Sequence, residues 1–378
     1  MKITNLSIKK NICLLLFLFI NVLFYFKYVS KVDFSASIVF IILYCGMFFF
    51  LLMRYSNGKL FSNRVLNISL IAVYLCMHTM LFRYIPIETI AVDRWSVITS
   101  FLDALFNGDY PYFATSFGGN YPGPMPFYFV LALPFYFIGE LGFFSITGLL
   151  LLILFLYKNE KNLMFTFLLY LMLSSGAIFW EIYVRSTVLV NATLILMLLY
   201  YIKDIDKMNK TQFWITALLG GILLSTRSVF ALVFVVWGVF VLKNKLISFF
   251  RLFKWGLLFV LGFAITFVPL ILMFSQEFFE MNPFIIQSSF LLPTYLLPLL
   301  FIIAIIGGLL CKEKEDIFYC CSLVLFAAIF IYFLYHTIIN GIKDAYLNSV
   351  VDISYFIFAI PFLLFAISYK EVNKISKK

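Results

Sequence analysis

The sequence predicts an all-α, polytopic membrane protein, on three observations. Of its 378 residues, 64% are hydrophobic and 12% are charged, whereas a soluble domain is about 45–50% apolar and about 25% charged. The apolar residues form long runs, and the Lys and Arg residues gather in alternate connecting segments. A bilayer accommodates that much apolar surface, because the lipid itself is the apolar solvent.

The apolar runs predict about 12 crossings in one transmembrane domain over 1–378. A helix needs roughly 20 apolar residues to cross the hydrocarbon core. The predicted spans are 11–29, 35–53, 65–83, 141–157, 163–180, 187–202, 212–226, 228–242, 255–274, 294–310, 317–338 and 350–369.

The basic residues orient these spans. Twenty-one of the 28 Lys and Arg residues fall in the predicted inner segments and 7 in the outer ones, and cytoplasmic loops are enriched in these residues. We therefore expect a multi-pass protein of the cell (inner or plasma) membrane with both termini in the cytoplasm. The net charge of +10 then reflects orientation, and a nucleic-acid partner is not expected.

The same charge bias resolves two stretches of unusual length. Residues 125–139 are predicted to lie at the outer interface or to enter the membrane and return, because a full crossing there would reverse every later loop. Residues 212–242 are predicted to form two short helices, with Arg227 at their outer tip.

Two outer loops carry the reactive residues, at 84–124 and 275–293. Within the first loop, apolar residues recur at helical spacing over about 93–107, and Gly108 follows. This pattern predicts an amphipathic helix on the membrane surface that ends at the glycine. Asp93 precedes the periodic run, so it is both a candidate N-cap and a candidate general base.

Other polar residues of the outer loops are weaker candidates. Glu88 and Asp103 are alternative bases, with a solvated surface acid as the simpler interpretation. Three outer cations, Arg185, Arg227 and Lys343, are candidate ligands for an anionic phosphate. The simpler interpretation is pairing with a nearby acid, such as Glu181 for Arg185.

Four features together resemble the GT-C superfamily of integral membrane glycosyltransferases, over roughly residues 65–369. They are the Asp93-Arg-Trp95 start of the interfacial helix, the run Asn120-Tyr-Pro-Gly-Pro-Met-Pro-Phe-Tyr128, the outer arginines Arg185 and Arg227, and the Asn282-Pro-Phe loop. The chain looks most like the bacterial mannosyltransferase-like members.

The resemblance implies transfer of a sugar from a polyprenyl-phosphate donor to an acceptor, expected to be a lipid-linked glycan, with inversion. It implies that Asp93 is the base and that Arg185 and Arg227, with Lys343 beside them, bind the donor phosphate. The residues expected to contact sugar or acceptor are Glu88, Arg94, Asp103, Tyr121, Tyr128, Asn282 and Gln287.

The remaining residues limit the cofactors and partners. The six cysteines and two histidines have no metal-site spacing, so no cofactor is predicted. The expected partners are membrane lipid, the polyprenyl-phosphate sugar and a glycan acceptor, with no protein partner evident. Two alternatives stay open, a polymerase or ligase of lipid-linked glycans and a non-enzymatic lipid or solute transporter.

Overall fold

The computed structural model describes residues 8–290 and 292–368, without the side chains of 287–290, and this part contains helices and no strands. The α-helices are α1 (Ile8–Ser30), α2 (Phe34–Ser56), α3 (Arg64–Tyr84), α4 (Arg94–Asn107), α5 (Pro126–Ile138), α6 (Gly142–Asn159), α7 (Asn162–Leu173), α8 (Gly176–Tyr183), α9 (Val188–Ile202), α10 (Lys210–Leu224), α11 (Ala231–Lys243), α12 (Phe249–Ile265), α13 (Val268–Met273), α14 (Ser275–Glu280), α15 (Pro283–Phe290), α16 (Leu297–Leu310), α17 (Asp316–Ile342) and α18 (Ile360–Ser368). Short 3₁₀ helices cover Ile87–Thr89, Pro111–Phe113, Ile205–Lys207, Ser228–Phe230, Thr294–Leu296 and Ile353–Ala359, and a π-helical turn covers Lys343–Leu347.

Several helices are long and apolar enough to cross a membrane. Five qualify within the described residues, namely α1, α2, α3, α6 and α17 with its π-helical extension, and the bent pair α7–α8 would be a sixth. Six further apolar helical segments have 10–17 residues. The all-α class is confirmed for the described residues, and the long apolar helices are compatible with a membrane helical bundle. The count of twelve crossings stays a prediction, because many segments are shorter than a full span.

The segments predicted to be outer contact one another. Lys27, at the end of α1, donates a hydrogen bond to the carbonyl oxygen of Val351 (3.1 Å), and Tyr110 donates to that of Met281 (2.6 Å). Residues more than 170 positions apart in the chain thus meet at one end of the bundle, which we call the outer end.

The segments predicted to be inner also meet, at the end that we call the inner end. Lys314 donates to the carboxylates of Asp204 (2.8 Å) and Asp206 (2.6 Å), and Lys243 donates to the carbonyl oxygen of Cys311 (3.0 Å). The loops predicted to be outer therefore contact one another at one end of the bundle, and the Lys- and Arg-rich loops predicted to be inner contact one another at the other end.

The bend between α7 and α8 is held by a polar residue of α1. The two helices meet at 57°, which interrupts their backbone hydrogen bonds. The side-chain oxygen of Asn21 accepts from the Ser175 hydroxyl (2.6 Å) and from the Ala177 amide (3.2 Å). Asn21 thus provides the internal partners that a break inside an apolar bundle requires.

Glycines allow α10 and α12 to pack with their backbones in contact. A Cβ atom at Gly262 would collide with the carbonyl oxygen of Leu218, and one at Gly221 would collide with that of Phe259. Such small-residue contacts are a common means of helix association in lipid. Because α10 ends shortly before Arg227, this contact also fixes the position of that arginine.

We predict that Gly262→Val lowers the unfolding temperature in detergent more than Gly256→Val does. Both substitutions change a glycine within α12, but Gly256 has open space beside it. Overpacking costs typically about 1–3 kcal/mol, so thermal unfolding of the two variants separates packing from helix propensity. Equal shifts would show that α10 and α12 are not in close contact.

Candidate functional site

A cavity of about 720 Å³ lies at the outer end of the bundle. Its polar lining comes from the first outer loop, the break between α10 and α11, and the C-terminal third of the chain. These residues are Asp93, Arg94, Asn120, Tyr121, Tyr128, Arg227, Ser228, Tyr332, Ser349, Asp352 and Tyr355. Its apolar lining includes Leu232, Leu297, Leu300, Phe301, Ala328 and Ile329. The cavity therefore combines a polar section with an apolar one.

Asp93 contributes a carboxylate that is held by hydrogen bonds to one of its two oxygens. Its Oδ2 atom accepts hydrogen bonds from the Ser116 hydroxyl (2.9 Å) and the Asn120 amide (2.7 Å), and Oδ1 has no hydrogen-bond partner in the described part of the chain. Asp93 occupies the N-cap position of α4, yet its side chain makes no capping hydrogen bond. The interpretation of this side chain as a helix cap is therefore wrong.

Internal hydrogen bonds fold the loop after α4 around Asp93. Tyr112 is fully buried and donates to the carbonyl oxygen of Pro124 (3.0 Å), and the Ser116 amide donates to the Asn120 carbonyl oxygen (2.9 Å). Burial raises the pKa of the Tyr112 phenol well above its ordinary value, which keeps its proton available for that hydrogen bond. The loop thereby presents Asn120 to the carboxylate.

Arg227 lies between α10 and α11, where the sequence places it. Its guanidinium carbon lies 5.1 Å from the centre of the Tyr128 ring, and its Nε is buried and has no hydrogen-bond partner among the described residues. It forms no ion pair with an acid of the described chain. The cation is therefore free to bind an anion that enters the cavity.

The other cavity arginine is already paired. Arg94 forms an ion pair with Asp352, donates a hydrogen bond to the Ser354 hydroxyl (2.7 Å), and stacks on the Tyr355 ring at 4.9 Å. These contacts connect the start of α4 to the segment that leads into α18. Arg94 therefore holds two segments of the cavity wall together. Its contact with sugar or acceptor stays a prediction.

Arg185 lies outside this cavity and is wholly enclosed by protein. Its side chain is 0% exposed, and it donates to Glu140 (3.2 Å) and to the carbonyl oxygens of Tyr183 (2.7 Å) and Ile85 (2.8 Å). The acid that pairs with it is Glu140 and not Glu181. The structure therefore gives Arg185 a role in holding outer segments together, and nothing in its surroundings supports a phosphate site.

Three other predicted residues do not line the cavity. Glu88 is exposed on a 3₁₀ helix, Asp103 is exposed and accepts a hydrogen bond from the Tyr136 hydroxyl, and Lys343 is exposed on the π-helical turn. Asp93 is therefore the acid, among the three candidate bases, that faces the cavity.

The second outer loop contributes little that can be described in detail. Asn282 uses its side-chain oxygen to accept from the amides of Phe284 (3.1 Å) and Ile285 (3.2 Å) at the start of α15. The side chain of Gln287 lies outside the described residues. Ile286, between them, does line the cavity.

The C-terminal third supplies lining residues that the sequence did not single out. Tyr332 of α17, Asp352 at the start of the last 3₁₀ helix and Tyr355 within that helix reach the cavity only through long-range packing. The one available signal was an acid, Asp352, at the outer boundary of the last predicted span. No group of three or more His, Cys, Asp or Glu side chains of the described chain could hold a metal ion.

No protein-family model, curated protein or solved structure matches the chain. Function therefore has to be inferred from the chemistry of the cavity.

We predict that Arg185→Gln destabilises the fold strongly, whereas Arg227→Gln does not. Removing one partner of a buried ion pair costs about 3–5 kcal/mol, while the loss of a cation–ring contact costs about 1 kcal/mol. Unfolding by SDS titration in mixed micelles measures the free energy of unfolding of both variants. A larger loss of stability for Arg227→Gln than for Arg185→Gln would mean that the Arg227 guanidinium has a protein partner.

Proposed function

We propose that the protein is a membrane glycosyltransferase of the GT-C type. It would transfer a sugar from a polyprenyl-phosphate donor to an acceptor, a lipid-linked glycan, at the outer face of the cell membrane. Since cytoplasmic loops are enriched in Lys and Arg, the inner end would face the cytoplasm.

The observation that carries this proposal is a carboxylate and a guanidinium that line one cavity without an ion pair between them. Asp93 keeps one oxygen unbonded within the described chain, and Arg227 has no acid partner there. Ionisable groups at the edge of a membrane are costly unless they serve a function. A substrate with a hydroxyl and a phosphate would engage both.

The apolar section of the cavity supports a lipid-linked donor. Leu297, Leu300 and Phe301 of α16 face Ala328 and Ile329 of α17 across the same space that Arg227 borders. A polyprenyl chain can occupy this section while its phosphate stays at the polar end. The volume falls in the range of about 300–1,000 Å³ that small-molecule sites occupy.

The proposed reaction is a single displacement. Oδ1 of Asp93 takes the proton of the acceptor hydroxyl, and the acceptor oxygen forms a bond to the anomeric carbon of the sugar. The bond between that carbon and the phosphate oxygen breaks, and its electron pair leaves with the polyprenyl phosphate. Arg227 stabilises the leaving phosphate through charge-assisted hydrogen bonds. One displacement inverts the anomeric configuration.

We predict that Asp93→Asn abolishes transfer and Asp103→Asn does not. General bases contribute typically about 10²–10⁴-fold to rate, and Asp103 is a matched acid on the same helix that lies outside the cavity. The measurement is transfer of labelled sugar from polyprenyl phosphate by the purified variants, with equal yields of folded protein as the control.

The alternatives give different outcomes in the same assay. Full activity in Asp93→Asn with loss in Arg227→Gln would favour a polymerase or ligase that needs no carboxylate base. Movement of the lipid-linked sugar across vesicles without a new glycosidic bond would favour a transporter.

We also predict that Arg227→Gln raises the KM for the donor about 10-fold or more and leaves the KM for the acceptor nearly unchanged. A charge-assisted contact is roughly twice as strong as a neutral one, and the phosphate that leaves beside Arg227 in the proposed reaction belongs to the donor. Initial rates measured against each substrate in turn test this. Equal changes in both KM values would contradict a phosphate role.

A further inference from the structure

A second, smaller cavity of about 210 Å³ lies at the inner end, between α3, α6 and α7. It is separate from the outer cavity and shares no lining residue with it. Two of its apolar lining residues, Ile68 (58% exposed) and Leu154 (61% exposed), are open to the surface that faces lipid. The cavity is thus a groove that bilayer lipid can enter from the side.

The lining changes from polar to apolar along the helices. Arg64 is the first residue of α3 and Asn162 the first residue of α7, so both lie at the inner end. Ile71 lies two turns further along α3, and Ile153 lies toward the middle of α6. This order matches a membrane lipid, with a headgroup at the surface and a chain directed into the bilayer.

One cation of the groove has no acid partner. Arg64 forms no ion pair with an acid in the described part of the chain. Asn67 is only 6% exposed, and its amide nitrogen donates to the Thr166 hydroxyl (2.8 Å). The groove therefore offers a ligand the unpaired guanidinium of Arg64.

We propose that this groove binds one anionic glycerophospholipid of the adjacent leaflet. The lipid phosphate accepts hydrogen bonds from the guanidinium of Arg64. One acyl chain lies along Ile68 and Ile71 on α3 and Leu154 on α6. The proposal is independent of the function assigned to the outer cavity.

The charge of the inner end favours an anionic lipid. Most of the Lys and Arg residues of the chain fall in the segments that the sequence predicts to be inner, so the local potential attracts negatively charged headgroups. Phosphatidylglycerol is a suitable probe, because its headgroup carries one net negative charge. Phosphatidylcholine carries no net charge and serves as the comparison lipid.

The test is native mass spectrometry of the full chain in detergent, titrated with phosphatidylglycerol. We expect one lipid to bind saturably to the wild type, with Arg64→Gln weakening binding by about tenfold. Arg54→Gln removes a cation from the neighbouring helix α2, where it stacks on Phe50, and should leave binding unchanged. Arg64 is exposed, so its replacement leaves the fold intact.

Three results would overturn the proposal. Arg54→Gln could weaken binding as much as Arg64→Gln, which would indicate a diffuse electrostatic effect. Phosphatidylcholine could bind as tightly as phosphatidylglycerol, or inorganic phosphate could displace the lipid at equal concentration. Either of these results would show that the groove does not select an anionic lipid.

Discussion

Charged groups inside an apolar bundle need an opposite charge or hydrogen-bond acceptors, and the rest of the outer end depends on this constraint. Arg94 meets it through Asp352 and Arg185 through Glu140, and each pair links segments far apart in sequence. Arg227 has no such partner in the described chain. The same requirement that makes two arginines structural therefore makes the third available for a ligand, and the cavity around it is where that ligand would bind.

The fold directs these contacts to one end of the molecule. Asn21 accepts hydrogen bonds from the polar groups at the bend between α7 and α8. The close contact of α10 with α12 fixes the chain just before Arg227. The loop that holds Asp93 then closes over the same region. The packed helices therefore position the cavity, and the loops between them supply its polar groups.

Local patterns predicted the features that depend on neighbouring residues. Apolar runs located α1, α2, α3 and α17, helical spacing with Gly108 located α4, and the charge bias located the break at Arg227. Features that depend on distant contacts were not predicted. Asp352 and Tyr355 reach the cavity through tertiary packing, and Arg185 pairs with Glu140 because backbone turns bring them together. Helices of 13–17 residues left the number of crossings open.

The most direct measurement is an electron cryomicroscopy structure of the protein with a polyprenyl-phosphate sugar. The proposed function predicts the phosphate against the guanidinium of Arg227, the sugar beside Asp93, and the polyprenyl chain between Leu300 and Ile329. A lipid bound outside this cavity, or an Arg227 side chain paired with a protein acid in that structure, would contradict it.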